Sequence, residues 1–116
     1  MKLLVDTHLL LIAGFQPDRL GSELIRQLLN PAHELWFSAA SIWELASRGR
    51  WNRADFDLDP AAFRDTLLAN SYRELPVDGR HASGLATLPD AAFFARILLS
   101  QAVADSMILL TNDPAL

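Results

Sequence analysis

Asp6 stands directly after the apolar run Lys2-Leu3-Leu4-Val5 and opens the segment Thr7-His8-Leu9-Leu10-Leu11. A short apolar run of this kind reads as a buried strand, and the longer apolar segment after it as a helix. The acid therefore falls at the carboxyl end of a strand, where open parallel sheets bind their ligands. Asp113 repeats the situation, following Met107-Ile108-Leu109-Leu110 after Thr111 and Asn112. Two carboxylates at equivalent strand ends, far apart in sequence, can meet at one edge of one sheet. Such a pair suits a hard divalent cation, which takes oxygen ligands. Thr111 and Asn112 would add a hydroxyl and an amide oxygen beside it, while Thr7 and His8 flank Asp6 as secondary candidates.

Each acid also has a plainer use. Asp6 precedes a helix and can cap it by accepting a backbone N–H. Asp113 precedes Pro114 and fits a turn. Glu44 lies in Ser38-Ala39-Ala40-Ser41-Ile42-Trp43-Glu44-Leu45, where a helical wheel puts the apolar stripe at Ala39, Ile42, Trp43 and Ala46. That wheel leaves Glu44 solvated and paired with Arg48 at i,i+4, worth about 0.3 kcal/mol. The opposing use is to overhang the crevice from one turn into a helix that leaves a strand end. Arg48-Gly49-Arg50-Trp51-Asn52-Arg53 is the one basic patch. As a solvated loop it needs no function; as an RNA contact, Arg48, Arg50 and Arg53 would meet phosphates and Trp51 an unpaired base.

These residues need an alternating framework. Strands are predicted over 2–5, 34–37, 72–75 and 107–110, and helices over 7–13, 18–29, 39–48, 60–69, 79–87 and 93–105. Gly14 and Gly49 are read as helix terminators, and Ser38, Asp59 and Asp78 as N-caps. Pro60 fits the first position of its helix. Strands separated by helices imply right-handed crossovers and a parallel sheet covered on both faces. The aromatic residues Phe15, Trp36, Trp43, Phe93 and Phe94 are expected mostly in the core, with some left to cover a subunit or partner interface.

The chain has 116 residues, enough for a single domain, and 51% of them are hydrophobic. No apolar stretch reaches the ~20 residues that span a bilayer. There is no cysteine, so disulfides and thiolate metal sites are excluded, which fits a cytoplasmic address. The formal net charge is −4, so any nucleic-acid substrate would have to be held by a local basic patch, or with help from a partner chain. A receiver domain wants a late lysine, and the one lysine is Lys2. No glycine-rich phosphate loop is present. The last strand ends six residues before the final residue. A fifth strand could follow, so the terminus reads as a truncation and strand 107–110 as a sheet edge.

Taken in order, these motifs resemble the PIN-domain ribonucleases, specifically the VapC-like toxins of prokaryotic toxin–antitoxin pairs. The resemblance rests on Leu3-Leu4-Val5-Asp6-Thr7-His8, Phe37-Ser38-Ala39-Ala40-Ser41-Ile42-Trp43-Glu44 and Arg73-Glu74-Leu75-Pro76-Val77. It continues through Arg96-Ile97-Leu98-Leu99-Ser100-Gln101-Ala102 and Leu110-Thr111-Asn112-Asp113-Pro114. It implies a PIN-like α/β/α sandwich around a parallel sheet of four to five strands. It also implies an acidic pocket for Mg²⁺ or Mn²⁺, hydrolysis of RNA such as tRNA, a cognate antitoxin and a homodimer. By position, Asp6 and Glu44 look like the first two pocket acids and Asp113 the late one, which overrides the solvated reading of Glu44. One departure stands out. Such toxins carry an Asp-Pro-Phe-Asp segment before the equivalent of Arg96, and this chain has Ala92-Phe93-Phe94-Ala95. Asp90 is the nearest acid, upstream in a loop that looks about two residues short. Weak metal binding and low turnover are expected, with a catalytically inactive antitoxin-binding module as the alternative.

Overall fold

Four short strands, β1 (Lys2–Val5), β2 (Glu34–Ser38), β3 (Arg73–Leu75) and β4 (Ile108–Leu110), form one sheet in the order β3-β2-β1-β4. All three pairings are parallel: Leu3 lies opposite Leu35 and Ile108, Leu4 opposite Trp36 and Leu109, and Ser38 opposite Leu75. The computed structural model describes residues 1–47, 58–88 and 92–112. Within them the helices are α1 (Thr7–Phe15), α2 (Ser22–Leu29), α3 (Ala39–Ser47), α4 (Pro60–Ala69), α5 (Gly79–Gly84) and α6 (Phe93–Ala104).

Period-2 alternation assigns each strand residue to a layer. Val5 and Phe37 face the side where Leu9, Leu10 and Leu11 of α1, Leu45 of α3, and Phe63 and Leu67 of α4 pack. Leu4 and Leu75 face the other side, against Leu98 and Ala102 of α6. The result is a three-layer α/β/α sandwich. α1 is apolar on all sides and buries Thr7, Leu9, Leu10, Leu11 and Ile12. An all-round apolar helix is stable only in a core.

Several predicted boundaries move. Gly14 lies inside α1, whose C-cap is Gln16. The helix expected over 18–29 splits into a 3₁₀ turn, Pro17–Arg19, and α2, with Gly21 between them at the N-cap of α2. The stretch expected over 79–87 divides into α5 and a 3₁₀ turn, Leu85–Thr87. Gly49 lies outside the described residues. The caps fare better: Asp59 Oδ1 accepts from Ala61 N at 3.1 Å, with Pro60 at the first helical position. Ser38 Oγ accepts from Ala40 N at 2.9 Å.

The aromatic expectation is corrected. Phe15 (40% exposed), Trp43 (49%) and Phe93 (49%) are exposed, and Trp36 and Phe94 are half-buried. Leucines dominate both sheet faces; Trp36 packs against one of them from β2, while Phe15, Trp43, Phe93 and Phe94 sit on the helices. β4 is an edge of the sheet among the described residues, as expected. Among those residues no helix is long and apolar enough to cross a membrane.

α5 is short and is held by polar contacts. His81 is buried, its Nδ1 accepts from the Asp78 N–H at 3.0 Å, and Nε2 therefore carries the proton donated to Asp105. Asp78 in turn accepts from Arg80 N and His81 N, closing a capping box. Ser100 Oγ of α6 donates to the His81 carbonyl at 2.7 Å. A Cβ on Gly84 would lie 2.4 Å from that same Oγ, so the two helices approach through the absent side chain. Gly84→Ala should destabilise the fold by about 1–3 kcal/mol through overpacking, read as a lower urea midpoint at unchanged slope.

The hydrogen bond from His81, reinforced by Arg80, holds the Asp105 carboxyl below its ordinary value of 3.8. Asp78 is likewise lowered, first by its bond from Arg80. A depressed carboxylate stabilises the fold above its unfolded pKa, and that contribution is lost as pH falls through the folded pKa. Urea midpoints are therefore expected to drop as pH is taken below 3.8, the ordinary value for both groups. In Asp105→Asn that acid-side fall should be shallower and the neutral-pH midpoint lower.

Candidate functional site

In the order β3-β2-β1-β4 the chain runs from β1 outward through β2 to β3, then crosses back to place β4 on the other side of β1. The connections therefore diverge between β1 and β4, and a crevice opens beyond the carboxyl ends of those two strands. Asp6 directly follows β1 and Thr111 directly follows β4. Val5 and Leu110 are register partners, and Asp6 N–H extends the ladder by donating to Leu110 O at 2.9 Å. The side chains then meet: Thr111 Oγ1 donates to Asp6 Oδ2 at 3.0 Å.

This contact sets the Asp6 side chain apart from the capping use. The residue occupies the N-cap position of α1 with extended backbone angles, yet its side chain makes no capping hydrogen bond. The carboxylate is directed sideways toward β4, with 8% of the residue exposed. The α1 end is held instead by the backbone, Leu10 N–H donating to Asp6 O at 2.9 Å.

Glu44 is half-buried, and the helical-wheel stripe drawn from the sequence holds only in part: Ile42 packs against the core, whereas Trp43 and Ala46 are exposed. The residues of α3 that are buried are Ala40, Ser41 and Leu45, whereas Trp43 is exposed. At about 100° per residue, Glu44 falls between Ala40 and Ser41 on the helix circumference. It thus shares the inward face. Polarity misled the wheel: Ala and Ser are small enough to let α3 approach, while the bulk of Trp43 keeps it at the rim.

Thr7, the first residue of α1, is buried, and its Oγ1 lies 2.7 Å from the buried Ser41 Oγ. Ser41 carries no signal of its own in the sequence beyond standing three residues before Glu44. His8 is half-buried on the first turn of α1, Thr111 is half-buried and Asn112 is exposed. Asp113, Asp90, Arg48, Arg50 and Arg53 lie outside the described residues.

Above the strand ends, α3 and α6 meet through three rings. Trp43 contacts Phe93 and Phe94 edge-to-face, with centroids 5.5 and 5.1 Å away, and the two phenylalanines are 5.1 Å apart. Ala92 is the N-cap of α6, and its first turn holds no acid. Where an acidic segment was expected by resemblance, the chain places an aromatic wall. Among the described residues, no three His, Cys, Asp or Glu side chains group so as to hold a metal ion. The donors present at the crevice are nonetheless all oxygen, a carboxylate and a hydroxyl, which is the chemistry hard cations select.

The sequence matches no family model and no curated protein. The fold, however, matches a chain of VapBC2 from Rickettsia felis, in a crystal structure bound to a DNA fragment from their promoter. The TM-score is 0.65 at 11% identity, over 97% of this chain and 89% of that one. The fold is PIN-like. The likeness is one of chain path.

A second concavity, of about 570 Å³, runs along the later turns of α1 between α2 and α4. Leu10, Ala13, Ile25, Leu28, Leu29 and Phe63 are among its lining residues. It is apolar and is not the place where Asp6 sits. α2 buries none of its residues, and Ile25 and Leu29 stay exposed.

The Thr111 hydroxyl bonds a carboxylate that is almost out of water, and bonds to charged groups are stronger than neutral ones. Thr111→Val should lower stability by about 1.5–3 kcal/mol in urea titration at pH 7, and Thr111→Ser should recover most of that loss.

Proposed function

We propose that this chain is the toxin component of a type II toxin–antitoxin pair, built as a metal-dependent endoribonuclease whose site is weakened by the missing central acid. The observation that carries the reading is Asp6. Its carboxylate is spared from helix capping and held by Thr111 at the switch point of a PIN-like sheet. The VapBC2 likeness supports the toxin–antitoxin assignment and a cognate antitoxin as partner.

Asp6, Asp113 and Glu44 would hold Mg²⁺ or Mn²⁺. When bound, such an ion lowers the pKa of water and offsets charge on the phosphate oxygens. Thr111 keeps Asp6 oriented toward the crevice, so the carboxylate does not turn back to the amides of α1. Glu44, on the inward face of α3, would orient or deprotonate the attacking water. Asp90 and Asn112 are lesser donors, and Arg48, Arg50 and Arg53 the cations that would meet RNA phosphates. Without an ion, the carboxylates repel the phosphodiester, so cleavage should require added Mg²⁺ or Mn²⁺. The antitoxin is assigned to the apolar groove along α1, α2 and α4, where exposed Ile25 and Leu29 offer a surface for an amphipathic helix.

A second reading is a PIN-like module that binds its antitoxin but does not cleave. It is favoured by Ala92-Phe93-Phe94-Ala95, which stands where the resemblance calls for acids. Titration calorimetry with Mn²⁺ separates the two, since retained partner binding without Mn²⁺ binding selects the inactive module. The nuclease reading itself is tested by restoring the acid at Ala92 or Ala95. Ala92→Asp or Ala95→Asp should raise Mn²⁺-dependent cleavage of RNA at least tenfold, about 1.4 kcal/mol of barrier. Adding Asp6→Asn should abolish the gain. No gain from either restored acid would overturn the assigned pocket.

A further inference from the structure

We infer that the buried Thr7–Ser41 hydroxyl pair is a positioning device that sets Glu44 against Asp6, an inference that rests on the nuclease reading above. Thr7 follows Asp6 by one residue, and Ser41 precedes Glu44 by three, on the same face of α3. Each acid of the site is therefore coupled to one hydroxyl of the pair through less than a turn of helix. The oxygens are 2.7 Å apart, and the two residues are 3% and 1% exposed.

The physical case turns on what else joins α1 to α3. Leu9, Leu10 and Leu11 of α1 and Leu45 of α3 belong to one apolar cluster that also holds Val5, Phe37, Phe63 and Leu67. Apolar contact is non-directional, so it resists separation of the helices better than rotation or sliding of one on the other. A hydrogen bond has a narrow length and an angular preference. Placed at the crevice end of both helices, it sets the rotation of α3 about its axis, and that rotation decides whether Glu44 faces the crevice. Ser38 Oγ, bonded to Ala40 N, supplies the second directional anchor by fixing where α3 starts. Two points of attachment within the first turn leave α3 little freedom. One hydroxyl donates to the other, so neither buried oxygen is left without a partner. If mere filling were required, Val and Ala would serve in the same volume without aiming anything.

Thr7 and Ser41 are thus positioning residues, and their effect must travel through Glu44. The experiment is Mn²⁺ titration calorimetry, with a thermal melt of each protein, on the wild-type chain, Thr7→Val, Ser41→Ala, Thr7→Ser and Glu44→Gln, and on Ser41→Ala combined with Glu44→Gln. Thr7→Val and Ser41→Ala are each expected to weaken Mn²⁺ binding about tenfold, the lower end of what loss of an outer-shell partner costs. Thr7→Ser should bind as wild type does. Glu44→Gln should weaken binding less in the Ser41→Ala background than in wild type, because the misaligned glutamate is already lost to the site. Variants that melt earlier yet bind Mn²⁺ like wild type would make the pair merely structural and overturn the inference while the nuclease reading stands. Additive losses from Ser41→Ala and Glu44→Gln would also overturn it. A wild-type chain that binds no Mn²⁺ sinks the nuclease reading itself, a different failure from either.

Discussion

The parallel pairing of β1 with β4 is the constraint on which the rest of this molecule depends. It joins the first strand of the chain to the last described one. It continues past the strand ends as the bond from Asp6 N–H to Leu110 O and then as the side-chain bond from Thr111 to Asp6. The crossover from β3 back to β4 is what produces the switch point, and the crevice exists because the neighbouring connections leave in opposite directions there. A carboxylate at that place is taken largely out of water, which is costly without compensating hydrogen bonds. The Thr111 hydroxyl supplies one of them.

The two helical layers have different jobs around this junction. On the Val5 face, α1, α3 and α4 bury a continuous leucine and phenylalanine cluster against the sheet. On the Leu4 face, a smaller cluster holds α6. α5 attaches to α6 through polar contacts and the close approach at Gly84. A bidentate bond from Arg64 of α4 to Glu74 of β3, at 2.7 and 2.8 Å, ties the outermost strand to its covering helix. The frame around Asp6 is therefore rigid at its base. At the rim, the aromatic trio of Trp43, Phe93 and Phe94 closes the gap between the two layers with apolar surface instead of charge.

Much of this was legible in the residues. Asp59-Pro60 announced the start of α4 because a capping carboxylate and a proline without an N–H both suit a helix N-terminus. For β1 and β4 strand identity followed from short apolar runs, and the parallel topology followed from the alternation of strands with helices. The site was legible in part. Asp6 and Thr111 were marked by their positions after apolar strands, and the structure brings them into contact. Glu44 was misjudged from the wheel because residue polarity does not reveal which face of a short helix has room for close approach. The buried face of α3 is made of Ala40, Ser41 and Leu45, two of them small residues that a hydrophobicity pattern undervalues. Gly14 was misread because α1 runs one residue past it to Phe15, whose ring stacks on Phe63.

By itself the sequence determined the alternation of strands and helices, the caps that begin several of them, and the acids available at strand ends. Those properties are local, set by periodicity, backbone chemistry and the absence of competing side chains. Only the tertiary structure decided where the Asp6 carboxylate points, which face of α3 turns inward, and that Thr7 finds Ser41. These depend on strand order and helix rotation, which arise from contacts between residues distant in the chain. The capping and the crevice-facing uses of Asp6 look identical in sequence. They separate only once β4 lies beside β1 and presents a hydroxyl.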